Sequence, residues 1–300
     1  SASDSGQHDV GMGHVLDHVR QPEELATPHV VEFRGVSKTY NFGEPNAFTA
    51  VKDVSFVVED IQDKGELVAI LGPSGCGKSA LFRVAAGLWD PAPDGAHEVE
   101  MVLPPRASTM FLPQETYVCG GEATLRDLVT YPGVFFSDDT GDETDDSYET
   151  NDDDVRDALN AAGLQRLLLL DDADWVTVGR SAFSHPSRPE RVFQNQKIID
   201  ALDVKRDWTV SLSPGERQRV AFARLFLRRP SLAFLDEATS FLDETAEAEM
   251  YALVKKRAGC VVSVGHRSSL RKFHDAKVEF IPAPENKKSS GGTWETRRAA

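Results

Sequence analysis

The sequence predicts an α/β fold with a largely parallel sheet and a separate helical lobe. Three observations carry that expectation. Short apolar runs ending in polar residues recur along the chain, stretches of helical period lie between them, and one run passes through a glycine-rich loop directly into a helix. In open sheets of this kind ligands bind beyond the carboxyl ends of the strands, so the residues just after each apolar run are the ones to watch.

Residues 30–36 (VVEFRGV) alternate like a half-buried strand, and residues 54–58 (VSFVV) are a second β-rich run after a loop at 41–46. The turn Asp63-Lys64-Gly65 then opens ELVAIL, which after Glu66 is a short apolar run typical of a strand buried on both faces. Residues 72–79 (GPSGCGKS) follow at once. After them SALFRVAAGL is apolar at helical spacing and is closed by Gly87. STMFLP near Ser108, SLAFLDE near Ser231 and CVVSVGH near Cys260 predict three more strands. Residues 124–208 instead carry helical patterns, which places a helical subdomain at about 123–228.

With 40% hydrophobic and 27% charged residues in a chain of 300, the composition is that of a globular protein able to bury a sizeable core. No uncharged apolar run approaches the roughly 18 to 20 residues of a membrane helix, so the chain is not expected to cross a bilayer by itself. The formal charge of −15 is uneven. Residues 137–154 hold ten acidic side chains and no basic one, which leaves −5 for everything else. Such a block is expected to be a solvated acidic insert. Three scattered cysteines, Cys76, Cys119 and Cys260, give neither a disulfide framework nor metal-ligand spacing, and they fit a reducing compartment. Residues 1–28 read as a polar linker without a signal peptide, and 283–300 as a C-terminal tail, bracketing a domain at 29–282. An opening Ser1 in place of Met is expected of a piece cut from a longer polypeptide.

The strongest chemical signal is Gly72-Pro73-Ser74-Gly75-Cys76-Gly77-Lys78-Ser79, a phosphate-binding loop set between a predicted strand and a predicted helix. Glycines let successive N–H groups turn inward around an anion, and the helix that follows presents its positive end. Lys78 is then expected at the β- and γ-phosphates and the Ser79 hydroxyl on Mg²⁺. In LAFLDE, Asp236 ends an apolar strand where it could hold Mg²⁺ through water, and Glu237 could polarise an attacking water. Seen alone, that pair is equally a solvated strand end. Ser213, Pro214 and Glu216 spell a capping box before RVAFARLFLRR, which is either a well-started helix or a helix start facing a phosphate.

Taken together, GPSGCGKS, the Gln of FLPQ (Gln114), LSPGE, LAFLDEATSFLD and the His of SVGHR (His266) resemble, in order and approximate spacing, the ATPase domain of ABC transporters. The likeness covers about 250 residues. GKSALFRVAAGLW, MFLPQETYVCGGEATLRDLVTYP, FARLFLRRP and GHRSSLRKFHD are similar to subfamily D, half-transporters of peroxisomes and lysosomes for fatty acyl-CoA or cobalamin, with bacterial relatives. The LSPGE form and SVGHR are especially similar to the lysosomal, cobalamin-linked branch.

The resemblance implies a P-loop NTPase fold of the ABC type: a mostly parallel core, an antiparallel β region and a helical subdomain. It makes Glu237 the general base, Asp236 the Mg²⁺-associated aspartate, His266 the switch histidine at the γ-phosphate, and Gln114 the residue that senses Mg²⁺ and couples to the membrane domain. Ser213, Gly215 and Glu216 form the signature that contacts ATP bound to a second ATPase domain, and residues 240–243 lie at the dimer interface. The sequence departs from the family in three places. Ala80 replaces a hydroxyl residue beside the α-phosphate. Pro214 removes an N–H from the signature, leaving Ser213 and Gly215 to meet the anion. Tyr40, the candidate for stacking on adenine, stands farther before the loop than is usual, with Phe42 and Phe48 as substitutes.

ATP and Mg²⁺ are thus the expected ligands. The expected partners are a transmembrane domain, fused upstream of Ser1, and a second ATPase domain in head-to-tail dimerisation, at the cytosolic face of a peroxisomal or lysosomal membrane. The alternative is a soluble ABC-type ATPase of DNA repair or translation. Lys78 and Asp236 are not separated by sustained heptads, as they are in the repair members, and the acidic balance disfavours nucleic acid. A nucleotide-binding module without turnover is opposed by Glu237 and His266.

Overall fold

The computed structural model describes residues 19–20, 29–41, 43–59, 65–90, 100–132, 151–169, 200–265, 268–282 and 294–299. In chain order its strands are β1 (Val19–Arg20), β2 (His29–Tyr40), β3 (Phe48–Glu59), β4 (Leu67–Leu71), β5 (Glu100–Val102), β6 (Thr109–Leu112), β7 (Glu122–Thr124), β8 (Lys205–Asp207), β9 (Leu232–Asp236), β10 (Cys260–Gly265), β11 (Ala276–Pro282) and β12 (Trp294–Ala299). The α-helices are α1 (Lys78–Ala85), α2 (Leu125–Thr130), α3 (Asp152–Ala161), α4 (Trp208–Ser211), α5 (Pro214–Arg228) and α6 (Glu244–Arg257). The chain forms two compact units.

The first unit takes Ser1–Gln114, Pro230–Glu237 and Ala258–Ala300. Its larger sheet has the order β12-β11-β4-β10-β9-β6, parallel throughout except for the β11–β12 pair. Every residue of β4 and of β10 is buried, as strands covered on both faces require, and this explains why neither shows alternation in sequence. A four-stranded sheet, β1-β5-β2-β3, supplies the antiparallel region. Phe33 and Phe56 stack across β2 and β3 at 4.6 Å, and Phe234 of β9 meets Phe82 of α1 and Phe111 of β6, so one apolar core joins sheets and helix. Helix α1 ends as predicted. Gly87 sits at φ 67°, and the N–H groups of Gly87 and Leu88 return to the carbonyls of Val84 and Arg83.

Two strand pairings fall inside segments that the sequence reads as linker and tail. Within the linker at 1–28, Val19 and Arg20 pair in parallel with Met101 and Val102. Within the tail at 283–300, Trp294–Ala299 pairs antiparallel with β11. Main-chain groups on a sheet edge accept added strands with little regard to side chain, so neither pairing leaves a pattern in the sequence.

The second unit takes Glu115–Arg229 and Ala238–Arg257, wider than the expected helical subdomain at 123–228. It gains α6, whose Arg257 pairs with Asp157 and lies over the ring of Phe226. It also contains a two-stranded ladder, β7–β8, that the helical reading did not anticipate. The end of the expected acidic insert at 137–154 is helix: Asn151 caps α3 and Asp152, Asp153 and Asp154 form the first turn. Acidic side chains suit the positive end of a helix, so part of the like-charged run is structural. Residues 137–150 lie outside the described residues. Arg126 bonds Asp152 and Asp203, and Arg156 bonds Asp200, which ties α2, α3 and the turn before β8 together.

Candidate functional site

The glycine-rich loop follows β4, Asp236 ends β9, and Gln114 stands two residues beyond β6, so three sequence-predicted groups gather at the carboxyl ends of parallel strands of one sheet. His266, next after β10, lies outside the described residues, as does Phe42.

Gly77 caps α1 at φ 98°, and a Cβ there would stand 2.1 Å from the Ala50 carbonyl oxygen. Only glycine fits. No side chain satisfies the N-terminal N–H groups of α1 and its first turn holds no acid, which leaves the positive end of the helix turned to the loop. Lys78 is 5% exposed, and its ammonium donates to the carbonyls of Gly72 at 2.9 Å and Pro73 at 2.7 Å, with the buried Cys76 Sγ at 3.7 Å. The N–H of Cys76 returns to Pro73, and Gly75 adopts φ 79°, giving the turn around which Ser74 and Gly75 lie exposed. Ala80 is buried in the core against which α1 packs, where an apolar methyl is at home and a hydroxyl would need a partner.

Ser79 Oγ donates to Asp236 Oδ1 at 3.1 Å. Burial pushes the Asp236 carboxyl above the usual range; the Glu237 charge adds to this, while the Ser79 bond, Arg83 and Lys78 oppose it. A cation placed there would favour its ionised form. Glu237 leaves the strand at φ 50°, in the left-handed region uncommon for a non-glycine residue, with its N–H on the Val264 carbonyl at 2.9 Å. Its Oε2 accepts from Gln114 Nε2 at 3.1 Å.

The donor set tests whether Mg²⁺ suits this place. Ser79, Asp236 and Gln114 offer hard oxygens, and among the described residues no three His, Cys, Asp or Glu side chains could hold a metal together. A cation would depend on few protein oxygens plus phosphate and water, which is how Mg²⁺ is held at nucleotide sites. The residues fit.

Tyr40 ends β2 with its ring edge-to-face on Trp89 at 5.3 Å, and Trp89 lies under the Arg83 guanidinium at 4.7 Å. Phe48, the register partner of Tyr40, is 60% exposed, so the two aromatics stand side by side at the end of the hairpin and Phe48 is the more accessible.

In the second unit the predicted capping box is formed. Ser213 N and Oγ both donate to Glu216 Oε2, at 3.0 and 2.8 Å, and Pro214 opens α5. Arg166 pairs with Glu216 and holds its carboxyl far below the usual range, at about 2, with the Ser213 bonds helping. Gly215 is half-buried, and a Cβ on it would come 3.4 Å from the Phe241 carbonyl oxygen. Arg166 lies fifty residues from Glu216 and had no local signal. Gln218 was likewise missed: a buried polar residue inside a helix reads, in sequence, as one more polar position.

The sequence profile of the ABC transporter family matches residues 51–240. An uncharacterised ABC transporter ATP-binding protein of Synechocystis is 36% identical over 76% of this chain and 27% of its own length. The human lysosomal cobalamin transporter ABCD4 is 33% identical over 83% of this chain and 33% of its own, and human ATP-binding cassette sub-family D member 3 is 32% identical over 77% and 28%. The chain thus spans about a third or less of the length of these curated relatives. A solved bacterial Atm1-family ABC exporter with ATP bound superposes with a TM-score of 0.59 at 21% identity, covering 85% of this chain and 38% of that one. At that identity the likeness speaks to the fold. No helix among the described residues is long and apolar enough to cross a membrane.

Proposed function

The chain belongs to the ABC transporter family, and from that membership we propose that it is a nucleotide-binding domain that hydrolyses ATP, with Mg²⁺, to drive transport by a membrane domain. One observation carries the reading: the glycine loop, the Ser79–Asp236 pair and the Gln114–Glu237 pair stand at the carboxyl ends of parallel strands in one unit.

Lys78 is already desolvated and satisfied by two neutral carbonyls. Exchanging them for β- and γ-phosphate oxygens replaces neutral acceptors with charged ones, so nucleotide binding gains charge-assisted bonds at little further desolvation cost. Ser79, Asp236 and Gln114 would hold Mg²⁺, which when bound screens the charge of the phosphates. Glu237 accepts the proton of the attacking water and orients it, and Gln114 holds the carboxylate in place. Ser213, Gly215 and Glu216 would meet the nucleotide of a second copy, His266 the γ-phosphate, and Tyr40 or Phe48 the adenine.

The transported substrate we propose is fatty acyl-CoA or cobalamin, at the cytosolic face of a peroxisomal or lysosomal membrane, supported by the subfamily D relatives and the motifs shared with them. The test of the core reading is phosphate release from ATP by the purified chain. Turnover that requires Mg²⁺ and stops with a chelator is the expected result; no turnover at any protein concentration, including those that favour dimers, would sink it.

A further inference from the structure

Gln218 is 2% exposed on α5, where an apolar side chain would bury at lower cost. Its amide is used on both sides. Oε1 accepts from the Phe241 N–H at 2.9 Å, and Nε2 donates to Ser240 Oγ at 2.8 Å. The orientation is fixed by chemistry, because a backbone N–H can only donate and so must face the amide oxygen. The same turn is held from its other side: Thr239 Oγ1 donates to the fully buried Glu247 of α6 at 2.6 Å, and Asp243 caps that helix through the Ala246 N–H at 2.8 Å. Between these anchors Phe241 projects 60% exposed, and its carbonyl lies close over Gly215 at the start of α5.

We propose that Gln218 is a positioning residue: it locks the turn at residues 238–243 to the helix that begins with Ser213, so that both surfaces offered to a second copy move as one. The proposal rests on the nucleotide-dependent pairing of two copies described above and adds to it the residue that couples its two contact elements. Without the amide, the turn loses two bonds to α5 while Glu247 still holds Thr239. Phe241 and Ser213 would then be ordered separately on association, at a cost of side-chain and loop entropy.

The experiment uses the Glu237→Gln chain, in which ATP should persist and pairs accumulate. Sedimentation with ATP measures pairing, and a fluorescent ATP analogue at protein concentrations below the pairing range measures binding to the single chain. Gln218→Leu, close in volume, is expected to weaken pairing roughly tenfold, the size of a modest added cost of ordering the freed turn in both copies, with binding to the single chain changed less than twofold. Gln218→Glu should restore most of the pairing, since its two oxygens can accept from the Phe241 N–H and from the Ser240 hydroxyl. Ser240→Ala, on a half-buried turn, should weaken pairing severalfold even if Gln218→Leu fails to fold. Unchanged pairing in Ser240→Ala or Gln218→Leu, or a loss of nucleotide binding parallel to the loss of pairing, overturns the proposal. If the Glu237→Gln parent binds ATP and never pairs, the dimer reading itself falls.

Discussion

Gln114 Nε2 lies 3.1 Å from Glu237 Oε2, joining residues 123 positions apart at the ends of two parallel strands. The bond spends one amide donor on keeping a carboxylate in a single orientation. In the proposed role of general base Glu237 would gain from that restraint, because such a base acts only within hydrogen-bond reach of the proton it takes.

Glu237→Gln is therefore expected to retain shape and lose turnover. The neutral amide cannot accept the proton, so ATP turnover should fall at least about 100-fold, while affinity for ATP stays within about threefold. Phosphate release and equilibrium binding measure the two. Turnover at the wild-type rate would remove Glu237 from the reaction.

Ser213→Arg fills the space before α5 with a bulky cation and deletes the hydroxyl that bonds Glu216 Oε2 at 2.8 Å. The substitution leaves the residues of the glycine loop unchanged. ATP binding to the single chain should persist and ATP-dependent pairing, read by sedimentation, should disappear. A pair that forms without nucleotide, or survives the change, contradicts the head-to-tail arrangement.

Asn151→Ala removes the side-chain oxygen that accepts from the Asp153 N–H at 3.2 Å. Loss of an N-cap costs about 1 kcal/mol, and thermal unfolding should report a drop of a few degrees at unchanged ATP affinity. No change in melting temperature would mean that α3 does not depend on its cap.

Glu216 gives a pH prediction with a defined sign. Its carboxyl, held at about 2 chiefly by Arg166, ordinarily titrates at 4.5. A depressed carboxylate contributes stability that is fully present above 4.5 and lost as pH falls through about 2. Between those limits the wild-type chain should lose stability more steeply than Glu216→Gln, in unfolding curves taken at each pH. Parallel curves would show that the Arg166 pair contributes nothing.

Much of the fold and of the site is legible along the chain because it is encoded locally. LVAIL, the LAFL before Asp236 and the mostly apolar CVVSVG announce buried strands by their lack of alternation, GPSGCGKS announces its loop through glycines, and Ser213-Pro214-Gly215-Glu216 announces a helix start within four residues. Each is an interaction between near neighbours, for which residue type and spacing are sufficient information.

Only the tertiary structure decided what depends on register between distant segments. It set Asp236 beside Ser79, Glu237 beside Gln114 and Arg166 beside Glu216, and it gave α6 to the unit that contains α5. It also turned the last three aspartates of the acidic run into a helix start and recruited edge strands from both chain ends. The physical reason is shared: a hydrogen bond or strand pairing across a hundred residues depends on which strands are neighbours in the sheet. That order follows from how the whole core packs, and no single segment carries it.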